Sequence, residues 1–310
     1  VVGELRAARF DRYGGAEEVR VVEVDAPEPG EGEVSLRVMA AGVNPIDWKI
    51  LHGWLAGGKE LDAPRGLGVD VAGIVEKVGP GVEGLHVGQE VLGASSTAAY
   101  AEVALSRPEM LLEKPPAIAW EVAGSLAVVV GTAYATLDAL ALKPGETLLV
   151  AGASGAVGSA AVQLAAGRGV QVIGTAGPAK LAQVQDLGAV AVAYGDGLEE
   201  RLRDLAPDGF DAALDASGHG ELRVAAALTK TRERVLTIAS SDEAQELGLK
   251  FHAGGGGALT IQALREVLAL IAAGRFSFPI AGIYDLGQVG DALRESEHGH
   301  PAGKLVVVPA

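Results

Sequence analysis

The rhythm of apolar and polar positions changes near residue 121. Before it, short β-branched runs at 19–24, 33–40, 69–78 and 89–92 are separated by Pro27-Glu28-Pro29-Gly30, Gly79-Pro80-Gly81 and Gly84. Short runs closed by proline and glycine predict a strand-rich region. After it, strand 147–150, helix 157–166, strand 171–174, helix 180–187, strand 191–192, helix 198–205, strand 210–215, a helix from Glu221 and strand 234–239 follow in turn. This alternation predicts an α/β fold with a parallel, doubly wound sheet and right-handed crossovers. An amphipathic helix over 259–273 then leads to a return segment that ends at 304–308.

Composition narrows the function classes. The 310 residues are 49% hydrophobic and 21% charged, enough to bury a sizeable core and too apolar for disorder. Forty acidic against 25 basic residues give a net charge of −15, which disfavours nucleic acid and anionic membranes as partners. The chain has no cysteine, so it has no disulfide, thiol nucleophile or thiolate-bound zinc. His298-Gly299-His300 is the one close histidine pair; with no second cluster beside it, no metal site is expected. Residues 1–10 carry Glu4, Arg6 and Arg9 and no apolar targeting stretch. The longest uncharged run, 147–167, holds four glycines and reads as strand, turn and helix rather than a membrane span. A cytoplasmic enzyme is expected.

The strongest local signal is the run from Thr147 to Gly158, where an apolar strand enters Gly152-Ala153-Ser154-Gly155-Ala156-Val157-Gly158. Glycines at such a turn let the backbone approach a pyrophosphate seated on helix N–H groups. The pattern is A-x-G-x-x-G with Ala153 in the first place; a tight strand–helix turn without ligand is the alternative. An NAD site places a carboxylate at the end of the second strand, about 20 residues on. Here 170–180 has none and Asp186 comes next, while Lys180 can pair with a 2′-phosphate or stand solvated. NADP(H) is therefore the expected cofactor.

Ala41-Gly42-Val43-Asn44-Pro45-Ile46-Asp47 resembles the signature of the zinc-independent quinone oxidoreductases, the zeta-crystallin-like branch of the medium-chain dehydrogenase/reductase superfamily. Segments 68–75, 131–134, 143–146, 172–175, 187–189 and Gly303-Lys304 resemble that family in the same order. The resemblance covers almost the whole chain. It implies a GroES-like catalytic domain formed by 1–120 and 256–310, a Rossmann domain inserted over 121–255, and a homodimer joined through the nucleotide domain. Zinc-dependent relatives carry Cys at the position of Asn44 and His-Glu at Val69-Asp70, so soft ligands are missing here. Leu126-Ala127, where the family often has Leu-Pro, and the glycines at 167 and 169 depart from the pattern.

The resemblance also assigns roles. Asn44 would lie beside the nicotinamide and donate to the substrate carbonyl, or merely shape an Asn-Pro turn. Thr132 would contact the nicotinamide region, or bond within its helix. Lys49 would donate a proton or anchor substrate, with a surface salt bridge to Asp47 as the alternative. Trp48 and Trp54 would wall a pocket or pack the barrel. Ala153, Ser154, Gly155, Ala156, Val157, Gly174, Thr175, Lys180, Tyr194, Lys304 and Asn44 complete the expected cofactor contacts. Expected chemistry is hydride transfer from NADPH to a quinone, or to the C=C bond of an α,β-unsaturated carbonyl. A non-catalytic NADPH-binding protein is the reading from another class.

Overall fold

A computed structural model describes residues 4–299 and 301–309; His300, half of the histidine pair, lies outside them. The chain divides into two units, one running through Val128 and resuming at Ile261, the other spanning Val129–Thr260.

The first unit is built mostly on antiparallel strands, with one parallel pair, Ile280–Asp285 beside Lys304–Val308. Its larger sheet runs Ile280–Asp285, Lys304–Val308, Val34–Gly42, Asp70–Val78, Glu90–Ala94 and Leu111–Glu113, with Val103–Ser106 also paired to Val34–Gly42. A smaller sheet joins Arg20–Asp25, Glu4–Phe10 and Arg65–Gly66. Val34–Gly42 is buried on both faces except at Arg37 and Met39, as its central place requires. Its register on Asp70–Val78 shifts between Val38 and Ala40. Such a bulge bends the strand end that delivers Asn44. Phe10, Leu36, Leu51 and Tyr100 are among the largest side chains of this core.

The second unit holds six parallel strands in the order Val190–Ala193, Gln171–Ala176, Thr147–Ala151, Ala212–Asp215, Val235–Thr237 and Lys250–Phe251. Numbered along the chain this is 3-2-1-4-5-6, the doubly wound order, with its switch point beside the first strand.

Several elements go beyond what the apolar pattern predicts. Pro45–Leu51 is a helix with Pro at its start, where proline's missing N–H costs nothing. Ala127–Leu140 is a helix buried on nearly every side, so its valine-rich run shows no helical period. The strands Glu4–Phe10 and Ile280–Asp285 and the helix Val289–His298 complete the first unit.

Candidate functional site

Two constructions stand out, one in each unit. In the second unit the strand Thr147–Ala151 turns at Gly152, whose φ of +76° suits glycine, and Gly155 caps the helix Ala156–Gly167. A side chain at Gly158 would put its Cβ 2.2 Å from the Gly152 carbonyl oxygen, so only glycine permits this packing. Gly174 makes room for Ala153, whose Cβ would lie 2.6 Å from a Cβ there. Thr175 fastens the turn. Its hydroxyl accepts from the Gly152 N–H at 3.0 Å and its carbonyl accepts from the Ala153 N–H at 2.9 Å. By helix geometry the N–H groups of Ala156, Val157 and Gly158 have no partner inside the helix. The turn thus offers a concentrated set of N–H donors at a positive helix end, which suits a pyrophosphate.

The second strand ends without a carboxylate; Asp186 is an exposed residue at the end of the next helix, Leu181–Asp186. Lys180 sits half-buried in the single turn Pro178–Lys180 that follows the strand. Tyr194, 51% exposed, hangs from the third strand with its N–H on the Ala176 carbonyl. Its hydroxyl lies 3.2 Å from where a Cβ on Gly177 would be. Arg201 steadies this edge by donating to the carbonyls of Ala193 and Asp196, each at 2.8 Å. Thr132, buried on Ala127–Leu140, points its hydroxyl at Gly254, 3.0 Å from a Cβ built there. The hydroxyl that bonds back along this helix is that of Thr136.

Sequence reasoning missed two carboxyls of this unit. Asp215, fully buried at the end of the fourth strand, accepts from Ser217, Gly218, Thr237 and Ser240, tying the fourth strand to the fifth. Glu221 accepts from the Thr175 hydroxyl at 3.1 Å. Burial pushes the Glu221 pKa up. Aspartate followed by Ala-Ser-Gly at a strand end is the available signal for Asp215; nothing local marks Glu221.

The second construction, in the first unit, is a buried polar cluster of Asn44, Asp47, Asp70, Tyr100 and Lys304, each at most 4% exposed. Asp47 accepts from the Asn44 N–H at 2.8 Å, the Tyr100 hydroxyl at 2.7 Å and the Gly68 N–H at 3.2 Å. Gly68 is left-handed, and a side chain there would strike the Tyr100 ring at 2.8 Å. Asp70 accepts from the Asn44 amide at 2.9 Å and the Val128 N–H at 2.7 Å. Lys304 donates to the Asn44 side-chain carbonyl and to the Val43 carbonyl. Burial raises Asp47 to about 6, against hydrogen bonds and the Lys304 charge that favour its ionised form. Burial likewise raises Asp70 and lowers Lys304.

This cluster corrects the salt bridge weighed for Lys49 and shows where Lys304 lies. Lys49 does not pair with Asp47, which points into the cluster; Lys49 lies 5.6 Å from the centre of the Trp48 ring. Lys304, expected among the cofactor contacts, is buried, with its ammonium enclosed by the Asn44 segment. Trp48 packs half-buried against the core, whereas Trp54 is 64% exposed and edge-on to it at 5.4 Å. Among the described residues no three His, Cys, Asp or Glu side chains gather as a metal site.

A doubly wound sheet with a glycine turn, joined in one chain to a strand-rich unit, is the architecture of a dinucleotide-binding protein. Residues 30–137 match the alcohol dehydrogenase GroES-like domain, and residues 156–262 match a domain described as zinc-binding dehydrogenase. The chain is 30% identical to the NADPH-dependent alkenal/one oxidoreductase of Arabidopsis thaliana, over 99% of this chain and 80% of that protein. It is 38% identical to a quinone oxidoreductase of Lama guanicoe, over 56% of this chain and 53% of that one. A mycobacterial protein solved in complex with NADPH superposes with a TM-score of 0.87 at 27% identity, over 98% of this chain and all of that one. The chain belongs to the medium-chain dehydrogenase/reductase superfamily, in its zinc-independent quinone oxidoreductase-like branch.

Proposed function

We propose that this chain is an NADPH-dependent, zinc-independent reductase of quinones, with Val129–Thr260 as its cofactor domain and the remainder as its substrate domain. The observation that carries the cofactor choice is the end of strand Gln171–Ala176, which bears no carboxylate and adjoins Lys180 and Tyr194. A 2′-phosphate there meets a cation and a phenol instead of a like charge, and a charge-assisted contact is worth about 1.5–3 kcal/mol. The mycobacterial neighbour solved with NADPH supports the same choice.

In this reading the run from Ala153 to Val157 wraps the pyrophosphate: the Ala153 and Gly155 N–H groups are bonded within the turn and shape it, and those of Ala156 and Val157 at the helix start are the donors. Gly174 and Thr175 keep that turn in place; Thr132 is the proposed nicotinamide contact of this unit, and Asn44 is the one proposed from the first unit. Bound NADPH supplies a hydride, which together with one proton converts a quinone to its hydroquinone. The chain's contribution is positioning and charge placement, so no obligatory acid is needed for the quinone.

Reduction of an activated C=C bond is the second reading, supported by the Arabidopsis relative that matches almost the whole chain. There hydride goes to the β-carbon and a proton to the α-carbon. Lys49, half-buried and with its pKa lowered by desolvation, is the candidate donor of that proton. Offering a simple quinone and a short enone in parallel separates the two: turnover of the enone alone displaces the quinone reading.

We also infer a homodimer built on the edge of the second unit's sheet. Lys250–Phe251 pairs on one side only among the described residues, and Phe251 is 45% exposed. Light scattering of the wild type should give a dimer mass, and Phe251→Asp a monomer.

A further inference from the structure

Asn44 is the only asparagine in the chain, and it is 1% exposed. Its carboxamide is engaged at every polar atom. Nδ2 donates to Asp70 Oδ2 at 2.9 Å and to the Gly42 carbonyl at 3.3 Å, and Oδ1 accepts from Lys304 Nζ. An amide nitrogen has two protons, so both are committed. Turning the group by 180° would set Oδ1 against the Asp70 carboxylate and Nδ2 against the Lys304 ammonium. Acceptor would then face acceptor and donor face donor, out of reach of water.

We propose that Asp70 and Lys304 are positioning residues that lock the Asn44 carboxamide in one orientation, so that Asn44 is a fixed polar wall and not a hydrogen-bond donor to the substrate carbonyl. Asp70 reaches further than Asn44. Its other oxygen accepts from the Val128 N–H in the first turn of Ala127–Leu140, the helix that carries Thr132. One carboxylate thereby holds both the Asn44 carboxamide and the Val128 backbone, all within the first unit. The charged and titratable groups packed around it are Lys304, Asp47 and Tyr100. Lys304 comes from the far end of the chain, on Lys304–Val308, so the lock exists only in the folded unit.

A single asparagine makes the test clean. Protein labelled with ¹⁵N-asparagine should show one side-chain amide pair, whose protons exchange at least about a hundredfold more slowly than those of free asparagine. Asp70→Asn and Lys304→Gln should speed that exchange. They should also lower kcat by roughly ten- to a hundredfold while leaving the NADPH dissociation constant within about twofold, because the glycine turn belongs to the other unit. Free-asparagine exchange in the wild type overturns the proposal. So does a variant pair in which exchange is unchanged, in which kcat and NADPH affinity fall together, or in which neither protein folds. The kinetic arm rests on the proposed reductase activity. A protected amide in a wild type that reduces neither quinone nor enone supports the lock and counts against the reductase reading instead.

Discussion

The turn at residues 152–158 offers a ligand the backbone of one short run, held open by glycines. The cluster around Asn44 gathers side chains from positions 44, 47, 70, 100 and 304 and closes them away from solvent. Backbone N–H groups at a helix end attract an anion whatever side chains flank them, provided nothing protrudes. A buried cluster depends on the opposite condition, since each charge must have its partner within the protein. The turn is therefore sensitive to added atoms and the cluster to removed ones.

The largest expected effect comes from taking away the cluster's cation. Lys304→Met leaves Asp47 and Asp70 without their buried counter-ion and should cost about 3–5 kcal/mol in urea unfolding. A cost below about 1 kcal/mol would mean that the cluster is no more than surface-like.

Next is the pH dependence of stability. Asp47 titrates at about 6 in the folded protein against 3.8 in a model peptide. Below the lower value both states hold the proton. Between the two the folded state holds a proton that the unfolded chain has released, so this group's contribution is lost as pH rises. The loss is complete above about pH 6 and is on the order of 3 kcal/mol. Wild type should lose that much relative to Asp47→Asn between pH 4 and pH 7; parallel curves would refute it.

For the turn, Gly158→Ala drives a Cβ to 2.2 Å from a backbone oxygen. Fluorescence titration should show NADPH affinity reduced at least about a hundredfold, near 2.7 kcal/mol. Smaller and more selective is Lys180→Ala, which should weaken NADPH by roughly ten- to a hundredfold and leave NADH unchanged. Equal loss for both nucleotides would remove Lys180 from the 2′-phosphate.

The same contrast explains which parts of the molecule are legible in its sequence. The strand, glycine turn, helix and second strand are contiguous, and their glycines mark the turn directly, so 147–158 and the missing second-strand carboxylate can be read from the residues themselves. Helix 198–205 and strand 304–308 have the bounds their sequence predicts, because each shows a clear apolar period or run. The cluster is not legible in this way. Asp47 sits two residues from Lys49 and invites a local salt bridge, yet helical geometry sends the two side chains to different faces. Tyr100 and Lys304 reach Asp47 and Asn44 only through strand pairing and a left-handed Gly68, which no local pattern records. Glu221 is separated from Thr175 by 46 positions and is hidden for the same reason.

The most direct measurement is oxidation of NADPH and of NADH by purified protein, with a simple quinone and a short enone as acceptors, with and without a strong metal chelator. NADPH-preferred turnover that the chelator leaves unchanged is the expected result. A preference for NADH, or activity abolished by the chelator, would contradict a zinc-independent reductase that recognises the 2′-phosphate.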